Sequence, residues 1–144
     1  MKTLIVFDSY FGNTEKIAFA IKDAFQNEEI SGIFRVNDIK PELIDQIDLF
    51  LIGSPTRKFQ PTPACKTLIS KIPRDKLKKM KVGAFDTRVS IEDIHSGFLK
   101  WLINIFGYAA EPLAKRLTRR GGKLIIPPEG FYVNDTEGPL KEGE

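Results

Sequence analysis

The N-terminal part of the chain joins an apolar strand directly to a helix through a short polar turn. Residues 3–21 read TLIVFDSYFGNTEKIAFAI. Apolar residues come first, the stretch 8–14 combines Asp, Ser, Gly, Asn and Thr with two aromatic residues, and apolar residues at helical spacing follow. A helix that begins this soon after a strand presents unpaired backbone N–H groups and the positive end of its dipole at the turn. Phosphate groups bind at such places, so the turn 9–14 predicts a phosphate site.

The turn also supplies suitable side chains. The hydroxyls of Ser9 and Thr14 can donate to phosphate oxygens, and Gly12 lets the backbone close around them. Because Gly12 is the only glycine among the first thirty residues, neither GxxxxGK[ST] nor GxGxxG occurs there. This argues against a nucleoside triphosphatase and against a nicotinamide-binding Rossmann domain. The alternative is an ordinary turn in which Asn13 or Thr14 caps the helix.

The same stretch resembles the phosphate loop of flavodoxins, which holds flavin mononucleotide (FMN). The pattern of that family has three apolar or aromatic residues, then a Ser or Thr, a small residue, a Thr, and an Ala and an aliphatic residue on the helix. This chain fills every position of the pattern, with Ile5, Val6, Phe7, Ser9, Gly12, Thr14, Ala18 and Ile21. The resemblance implies a cofactor site formed in part by Ser9, Tyr10, Phe11, Gly12, Asn13 and Thr14.

Strand and helix patterns alternate along the rest of the chain, as a doubly wound α/β fold requires. The apolar run 49–53 predicts a central parallel strand that is covered on both faces. Other strands are predicted at 32–36, 81–85 and 123–126, and helices at 16–25, 41–47, 63–72, 97–106 and 112–120. We expect a single domain, 1–144, with a three-layer, doubly wound, five-stranded parallel sheet in the flavodoxin order 2-1-3-4-5. Its C-terminal helix is expected to be short or missing, because residues 139–144 barely begin one.

Two further loops are expected at the edge of the sheet where strand order reverses and ligands bind. The loop 54–63, SPTRKFQPTP, resembles the loop that contacts the flavin ring in flavodoxins and related quinone reductases. A proline-stiffened turn with Thr62 as the cap of the next helix is a compatible alternative. With the loop after the fourth strand, this segment adds to the expected cofactor site Ser54, Pro55, Thr56, Arg57, Lys58, Phe59, Asp86, Thr87 and Arg88.

The part of the site that would hold the flavin ring departs from the family. Many flavodoxins have Tyr-Gly-Gly or a stacking Trp or Tyr after the SPT stretch, whereas this chain has Arg57, Lys58 and Phe59. The candidates for stacking on the ring are Phe59, Tyr10 and Phe11. Arg57, Lys58 and Arg88 would place positive charge near N1 of the flavin and so favour its reduced, anionic form. The alternative for these three residues is that they are solvated surface charges.

Composition narrows the functional classes. The net charge is +3, whereas flavodoxins are typically strongly acidic, so acidic redox partner proteins are expected. The basic stretches 74–81 and 115–123 carry no stacking or base-reading motif, which argues against nucleic-acid binding. No apolar run reaches the roughly 20 residues that span a bilayer. No signal peptide is visible and Cys65 is the only cysteine, so a cytoplasmic protein is expected.

Residues 97–108 are apolar nearly all round, although a surface helix of this fold buries only one stripe. Contact with a second subunit, an apolar lid beside the flavin and burial under 112–120 are all compatible with this composition. Without a full C-terminal helix the first helix would keep an uncovered patch, which predicts a homodimer. His95, the only histidine, is either an exposed residue or a proton donor to the flavin or a substrate.

Three functional classes follow. The favoured one is an FMN protein that transfers electrons between redox partners and has no substrate site of its own. The second is an FMN-dependent NAD(P)H:quinone-type oxidoreductase, which needs an open pocket against the flavin. The third is a regulatory or interaction domain that keeps the fold without flavin. A phosphoacceptor receiver domain needs paired acidic residues after the first strand and an aspartate at the end of the third. This chain has Asp8-Ser9 and Gly53-Ser54 at those places, which argues against that class.

Overall fold

The structure, a computed structural model, describes residues 2–25, 29–57, 59–89, 97–98, 101, 107–134 and 138–144. Most of the predicted helix 97–106, together with Lys58 and His95, lies outside these residues. The elements follow in the order β1 (Lys2–Phe7), α1 (Asn13–Ala24), β2 (Glu29–Arg35), a 3-10 helix (Pro41–Gln46), β3 (Leu49–Pro55), α2 (Pro63–Ser70), β4 (Lys81–Val89), α3 (Ala110–Arg119), β5 (Lys123–Leu124) and β6 (Glu129–Val133).

The strands form one parallel sheet, which confirms the predicted class of fold. The order is β2-β1-β3-β4-β5, and β6 also pairs with β4. β5 pairs with residues 81–82 of β4, and β6 pairs with residues 85–89. Both therefore occupy the edge of β4 that β3 leaves open. From the sequence only the first of these two segments is predicted, as a strand 123–126.

β4 is longer than predicted. It continues through Asp86, Thr87 and Arg88 to Val89, where the sequence predicts a loop. The cause is the parallel pairing with β6, which gives this stretch a hydrogen-bonded neighbour on its outer edge. The three predicted site residues therefore lie on a strand, and successive side chains point to opposite faces of the sheet.

Helices cover the sheet on both faces. On one face, α2, α3 and the 3-10 helix pack on a core that includes Phe50 and Leu113. On the other face, α1 packs on a smaller cluster that includes Ile5 and Ile17. Cys65 of α2 is buried, and burial raises the pKa of its thiol to about 11, so it packs as a small apolar residue.

Two phenylalanines cover part of the α1 face beyond the helix. The ring of Phe85 lies over Gly53, where a Cβ atom would collide with it. Phe131 of β6 meets Phe85 edge-on, with the ring centroids 6.4 Å apart. Leu140 packs against the same cluster. The burial of this face near β4 therefore comes from side chains of the sheet and of the C-terminal residues.

The C-terminal residues 138–144 contain no helix. They run antiparallel to β6, with Leu140 bridged to Val133. The backbone N–H of Lys141 donates to the carbonyl of Tyr132 at 2.9 Å. None of the helices in the described part of the chain combines the length and the apolar character that crossing a bilayer requires.

Candidate functional site

A pocket opens at the carboxyl ends of β1, β3 and β4, where ligands bind in sheets of this order. Its lining residues are Ser9, Tyr10, Phe11, Asn13, Thr14, Pro55, Thr56, Arg57, Thr87, Arg88, Val89 and Val133. All of them except Val89 and Val133 are predicted site residues. Val133 comes from β6, and no signal in the sequence places it there.

The turn 9–14 directs the N-terminus of α1 at this pocket. Gly12 is the N-cap residue, with a φ of 88° that favours glycine, and no described side chain caps the helix. The backbone N–H of Gly12 donates to the Ser9 hydroxyl oxygen at 3.0 Å, which fixes the turn. A Cβ on Gly12 would meet nothing within 4 Å, so the space beside it is open. The hydroxyl hydrogen of Ser9 can therefore be donated to an acceptor in the pocket.

Thr14 connects the turn to β4. Its buried hydroxyl oxygen lies 2.8 Å from the hydroxyl oxygen of Thr87, which is also buried. One hydroxyl of such a pair donates to the other, which leaves one hydroxyl hydrogen for a third acceptor. Both residues line the pocket, so the pair presents one donor to a ligand oxygen there.

Arg35, at the end of β2, braces the turn and is not predicted from the sequence. Its guanidinium donates to the carbonyl oxygen of Ser9 at 3.0 Å and to the carboxylate of Glu15 at 2.8 Å. The ion pair is substantially exposed, so its contribution to stability is small. Its effect is to position the turn, since it joins β2 to the first turn of α1.

Asp86 lies behind the pocket and does not line it. The carboxylate is fully buried and accepts two hydrogen bonds from Arg88, each at 2.7 Å, and one from the backbone N–H of Ala110 at 2.8 Å. Burial raises the pKa of Asp86, while the hydrogen bond and the charge of Arg88 oppose that rise. The carboxylate thereby joins the end of β4 to the first turn of α3.

Arg88 is held from two sides. Burial alone would lower its pKa, but the hydrogen bond to Asp86 and the charge of that carboxylate raise it above its ordinary value. The guanidinium also lies 4.0 Å from the centroid of the Tyr108 ring, and the Tyr108 hydroxyl donates to the carbonyl of Val89. The positive charge of Arg88 is therefore balanced by Asp86.

Arg57 lies across the aromatic side of the pocket. Its guanidinium carbon is 5.1 Å from the centroid of the Tyr10 ring and 5.8 Å from that of Phe11. Both rings are about half exposed, at 50% and 46%. In the described part of the chain Arg57 has no carboxylate within ion-pair distance. Its charge, unlike that of Arg88, is not balanced there.

The loop after β3 is anchored by hydroxyl groups. The Ser54 hydroxyl oxygen accepts from the backbone N–H of Thr62 at 3.0 Å, and Thr62 caps α2 as predicted. Arg57 and Gln60 exchange two backbone hydrogen bonds of 2.9 Å in a tight hairpin. Phe59, at its tip, has a φ of 69°. Ser54 and Phe59 therefore shape the loop without lining the pocket.

A family model for the flavodoxin domain matches residues 4–96, more than half of the chain. The chain therefore belongs to the flavodoxin family, whose members are FMN-binding electron-transfer proteins. No curated protein sequence matches the chain significantly.

Solved flavodoxins have a similar fold. Oxidised flavodoxin 1 from Bacillus cereus has a TM-score of 0.72 and 17% identity, over 94% of this chain and 86% of that one. Two-electron-reduced flavodoxin from Megasphaera elsdenii has a TM-score of 0.69 and 23% identity, over 95% and 88%. Rubredoxin oxygen:oxidoreductase from Desulfovibrio gigas has a TM-score of 0.68 and 21% identity, over 90% of this chain but only 30% of that protein. At these identities the likeness shows the fold alone.

The donors of the turn fit the phosphate of FMN. Two hydroxyl hydrogens, from Ser9 and from the pair of Thr14 and Thr87, and the N-terminus of α1 converge on one pocket. The carboxylate of Asp86 is fully buried and engaged elsewhere, so it does not oppose an anion in this pocket. Hydroxyls and a helix N-terminus together form an anion site.

Proposed function

We propose that this chain binds FMN in the pocket at the ends of β1, β3 and β4 and relays electrons between partner proteins. The observation that carries the proposal is the meeting of donors from Ser9, Thr14 and Thr87 at the N-terminus of α1. FMN supplies the redox chemistry when bound, and the residues of the chain hold it, orient it and set its surroundings. Ser9 and the Thr14–Thr87 pair donate to the phosphate in this proposal.

Entry of the flavin ring requires movement of Arg57. With the guanidinium over Tyr10 and Phe11, the pocket measures only about 80 Å³, which is room for a few water molecules. Because Arg57 is exposed and forms no ion pair with a described residue, its side chain can swing away at little cost. The ring would then lie against Tyr10 or Phe11, with Arg57 beside it.

The exposure of the aromatic residues supports a carrier over an enzyme. Tyr10 and Phe11 lie at the surface, so the edge of a ring that stacks on them would be open to a docking protein. The alternative, an FMN-dependent NAD(P)H:quinone-type oxidoreductase, needs an apolar surface beside the ring. Phe98 and Trp101 offer exposed apolar surface and stack with centroids 6.1 Å apart, but neither lines the pocket.

The test begins with FMN titration of the purified protein, followed by quenching of flavin fluorescence. Three results together would support the carrier. The protein binds FMN, it does not turn over NADH or NADPH with a quinone, and its reduced form is oxidised by an acceptor protein in a single turnover. Many turnovers with a nicotinamide and a quinone would support the oxidoreductase instead. Failure to bind FMN would leave an interaction domain that keeps the fold.

The partners, the oligomeric state, the domain organisation and the location of the protein stay predictions. The net charge of +3 supports acidic redox partners, and their association should weaken as salt is raised. A homodimer through the α1 face is supported by the exposure of Phe19 on that helix, and light scattering at micromolar concentration tests it. A single domain and a cytoplasmic location are proposed on composition alone.

Replacing Arg57 by Gln should lower the midpoint potential of the bound FMN. Since positive charge stabilises the reduced, anionic flavin, its removal makes reduction less favourable. Arg88 is not expected to substitute, because Asp86 balances its charge. Lys22→Gln, which removes the same charge from the last turn of α1, should leave the potential unchanged. A reductive titration against reference dyes measures both, and an unchanged or higher potential in R57Q would contradict the assignment.

A further inference from the structure

A second cleft lies at the end of the molecule opposite the FMN pocket. It is bounded by the C-terminal ends of α2 and α3, which lie beside the beginning of the parallel strands. The cleft has a volume of about 350 Å³. Its lining residues are Ile69, Ser70, Arg74, Arg116, Arg119 and Arg120. Four of these six residues are arginines, and none is aromatic.

The arginines of this cleft have no described counter-charge. The ion pairs of the described residues join Arg35 to Glu15, Lys76 to Asp45 and Arg88 to Asp86, and none includes a cleft arginine. The two helix ends contribute only about half a negative charge each, which leaves an excess of roughly three positive charges. Like charges in one cleft repel one another, so a bound anion would relieve the repulsion.

Hydrogen bonds and close packing fix the walls of the cleft. Arg120 donates from Nε to the carbonyl of Ile69 at 3.3 Å, which ties the end of α3 to α2. Its own carbonyl accepts from the N–H of Leu77 at 3.2 Å. Gly121 has a φ of 97°, and a Cβ there would lie 3.0 Å from the backbone of Lys78. The segment that carries Arg74 is thus packed closely on the end of α3.

We propose that this cleft binds a small, soluble ligand that carries a phosphate group. Guanidinium groups pair with phosphate through two parallel hydrogen bonds, and several that converge from different elements fit a multivalent anion. The volume lies in the range of small-molecule sites. A concave cleft without aromatic residues does not fit single-stranded nucleic acid, which requires stacking. The site is separate from the FMN pocket and does not depend on flavin binding.

Titration of the isotope-labelled protein with pyrophosphate, followed by the backbone amide signals, tests the proposal. Saturation with FMN beforehand occupies the turn 9–14, the other phosphate site. Each backbone amide reports on its own residue, so shifts at the cleft can be told from shifts at the turn 9–14 even if FMN does not bind. We expect shifts at 69–70, 74 and 116–121, and none from sodium chloride at equal ionic strength. Shifts confined to the turn 9–14 would overturn the proposal.

Variants then locate the charges. Arg116→Gln with Arg119→Gln should weaken pyrophosphate binding by about tenfold or more, as expected for the loss of charge-assisted hydrogen bonds. Arg120 is kept because it also holds the wall. The control, Lys22→Gln with Lys40→Gln, makes the same change in net charge on exposed residues elsewhere and should alter affinity less than about twofold. An equal loss of pyrophosphate affinity in both double variants would show that binding depends on net charge and not on this cleft.

The source of the phosphate group is tested separately. Sedimentation with vesicles of phosphatidylcholine, with and without phosphatidic acid, shows whether a lipid headgroup is bound. Retention on the acidic vesicles together with no response to pyrophosphate would overturn the proposal that the ligand is soluble. Pyrophosphate binding without vesicle retention is the result expected.

Discussion

The combined replacement of Ser9 by Ala and Thr14 by Val is expected to weaken FMN binding by more than about a hundredfold. In this proposal Thr87 donates to Thr14, so that the hydroxyls of Ser9 and Thr14 each donate to the phosphate. A hydrogen bond to a charged group contributes about 1.5–3 kcal/mol. Two such losses correspond to a factor of roughly 100 or more. Loss of the Ser9 oxygen also removes the acceptor of the Gly12 N–H, so the turn becomes less well ordered. Quenching of FMN fluorescence during titration measures the affinity.

Two controls make this result specific. Ser70→Ala with Thr118→Val deletes the same atoms from two exposed hydroxyls that donate to helix carbonyls, and FMN affinity should not change. Riboflavin lacks the phosphate, so its affinity should fall far less than that of FMN between the wild type and S9A/T14V. An equal loss for FMN and riboflavin would mean that the turn does not hold the phosphate. Unchanged affinity for both would remove the turn from the site.

The turn 9–14 can be predicted from the sequence because its conformation depends mainly on residues within the turn itself. Ser9 and Gly12 are joined by a hydrogen bond three residues apart, Gly12 is the N-cap of α1, and Thr14 lies in its first turn. The pairing of Thr14 with Thr87 is not local, and nothing in the sequence identifies it. The same holds for Arg35, which reaches the turn only because β2 lies beside β1 in the sheet.

The sequence does not predict the extended end of β4, because the strand that pairs with it begins in a stretch with the composition of a turn. Residues 127–130 read PPEG, a stretch that indicates a turn, although β6 begins at Glu129. A Cβ at Gly130 would collide with the guanidinium of Arg88 and would force it away from its present position. A glycine that reads as a loop signal thus gives Arg88 the space to reach Asp86. Such a role depends on packing between distant segments, which local patterns do not encode.

The class of fold was more predictable than the role of each site residue. Apolar runs such as 49–53 identify buried parallel strands, and strand order follows from the family resemblance. The sequence predicts that Asp86 and Ser54 contact the cofactor, whereas in the structure their side chains are engaged with Arg88 and Thr62 and do not line the pocket. Sequence placed them correctly at the end of the sheet. The sequence does not show which partner each side chain binds, because that depends on how far each strand continues and on what packs beside it.

Replacing Asp86 by Asn is expected to lower the free energy of unfolding by about 3 kcal/mol, the loss typical of a buried ion pair that keeps one charge. The amide can still accept from Ala110, but Arg88 then lies beside the Tyr108 ring without a counter-charge. Asp45→Asn is the matched control, because its ion pair with Lys76 is exposed, and it should cost less than about 1 kcal/mol. Urea denaturation measures both, and equal losses would contradict the role of burial.

The partner variant adds a pH dependence with a definite sign. In Arg88→Met the burial of Asp86 is opposed by the hydrogen bond from Ala110 but no longer by Arg88, so the pKa of Asp86 in the folded protein should rise further above the value of about 3.9 in the unfolded chain. A folded protein that holds the proton more tightly is stabilised as pH falls, so the destabilisation of R88M should be largest near neutral pH and should shrink on acidification. The double variant D86N/R88M buries no charge at this position, and its loss should be smaller than the sum of the two single losses. Additive losses at every pH would show that Asp86 and Arg88 stabilise the end of β4 independently rather than as a pair.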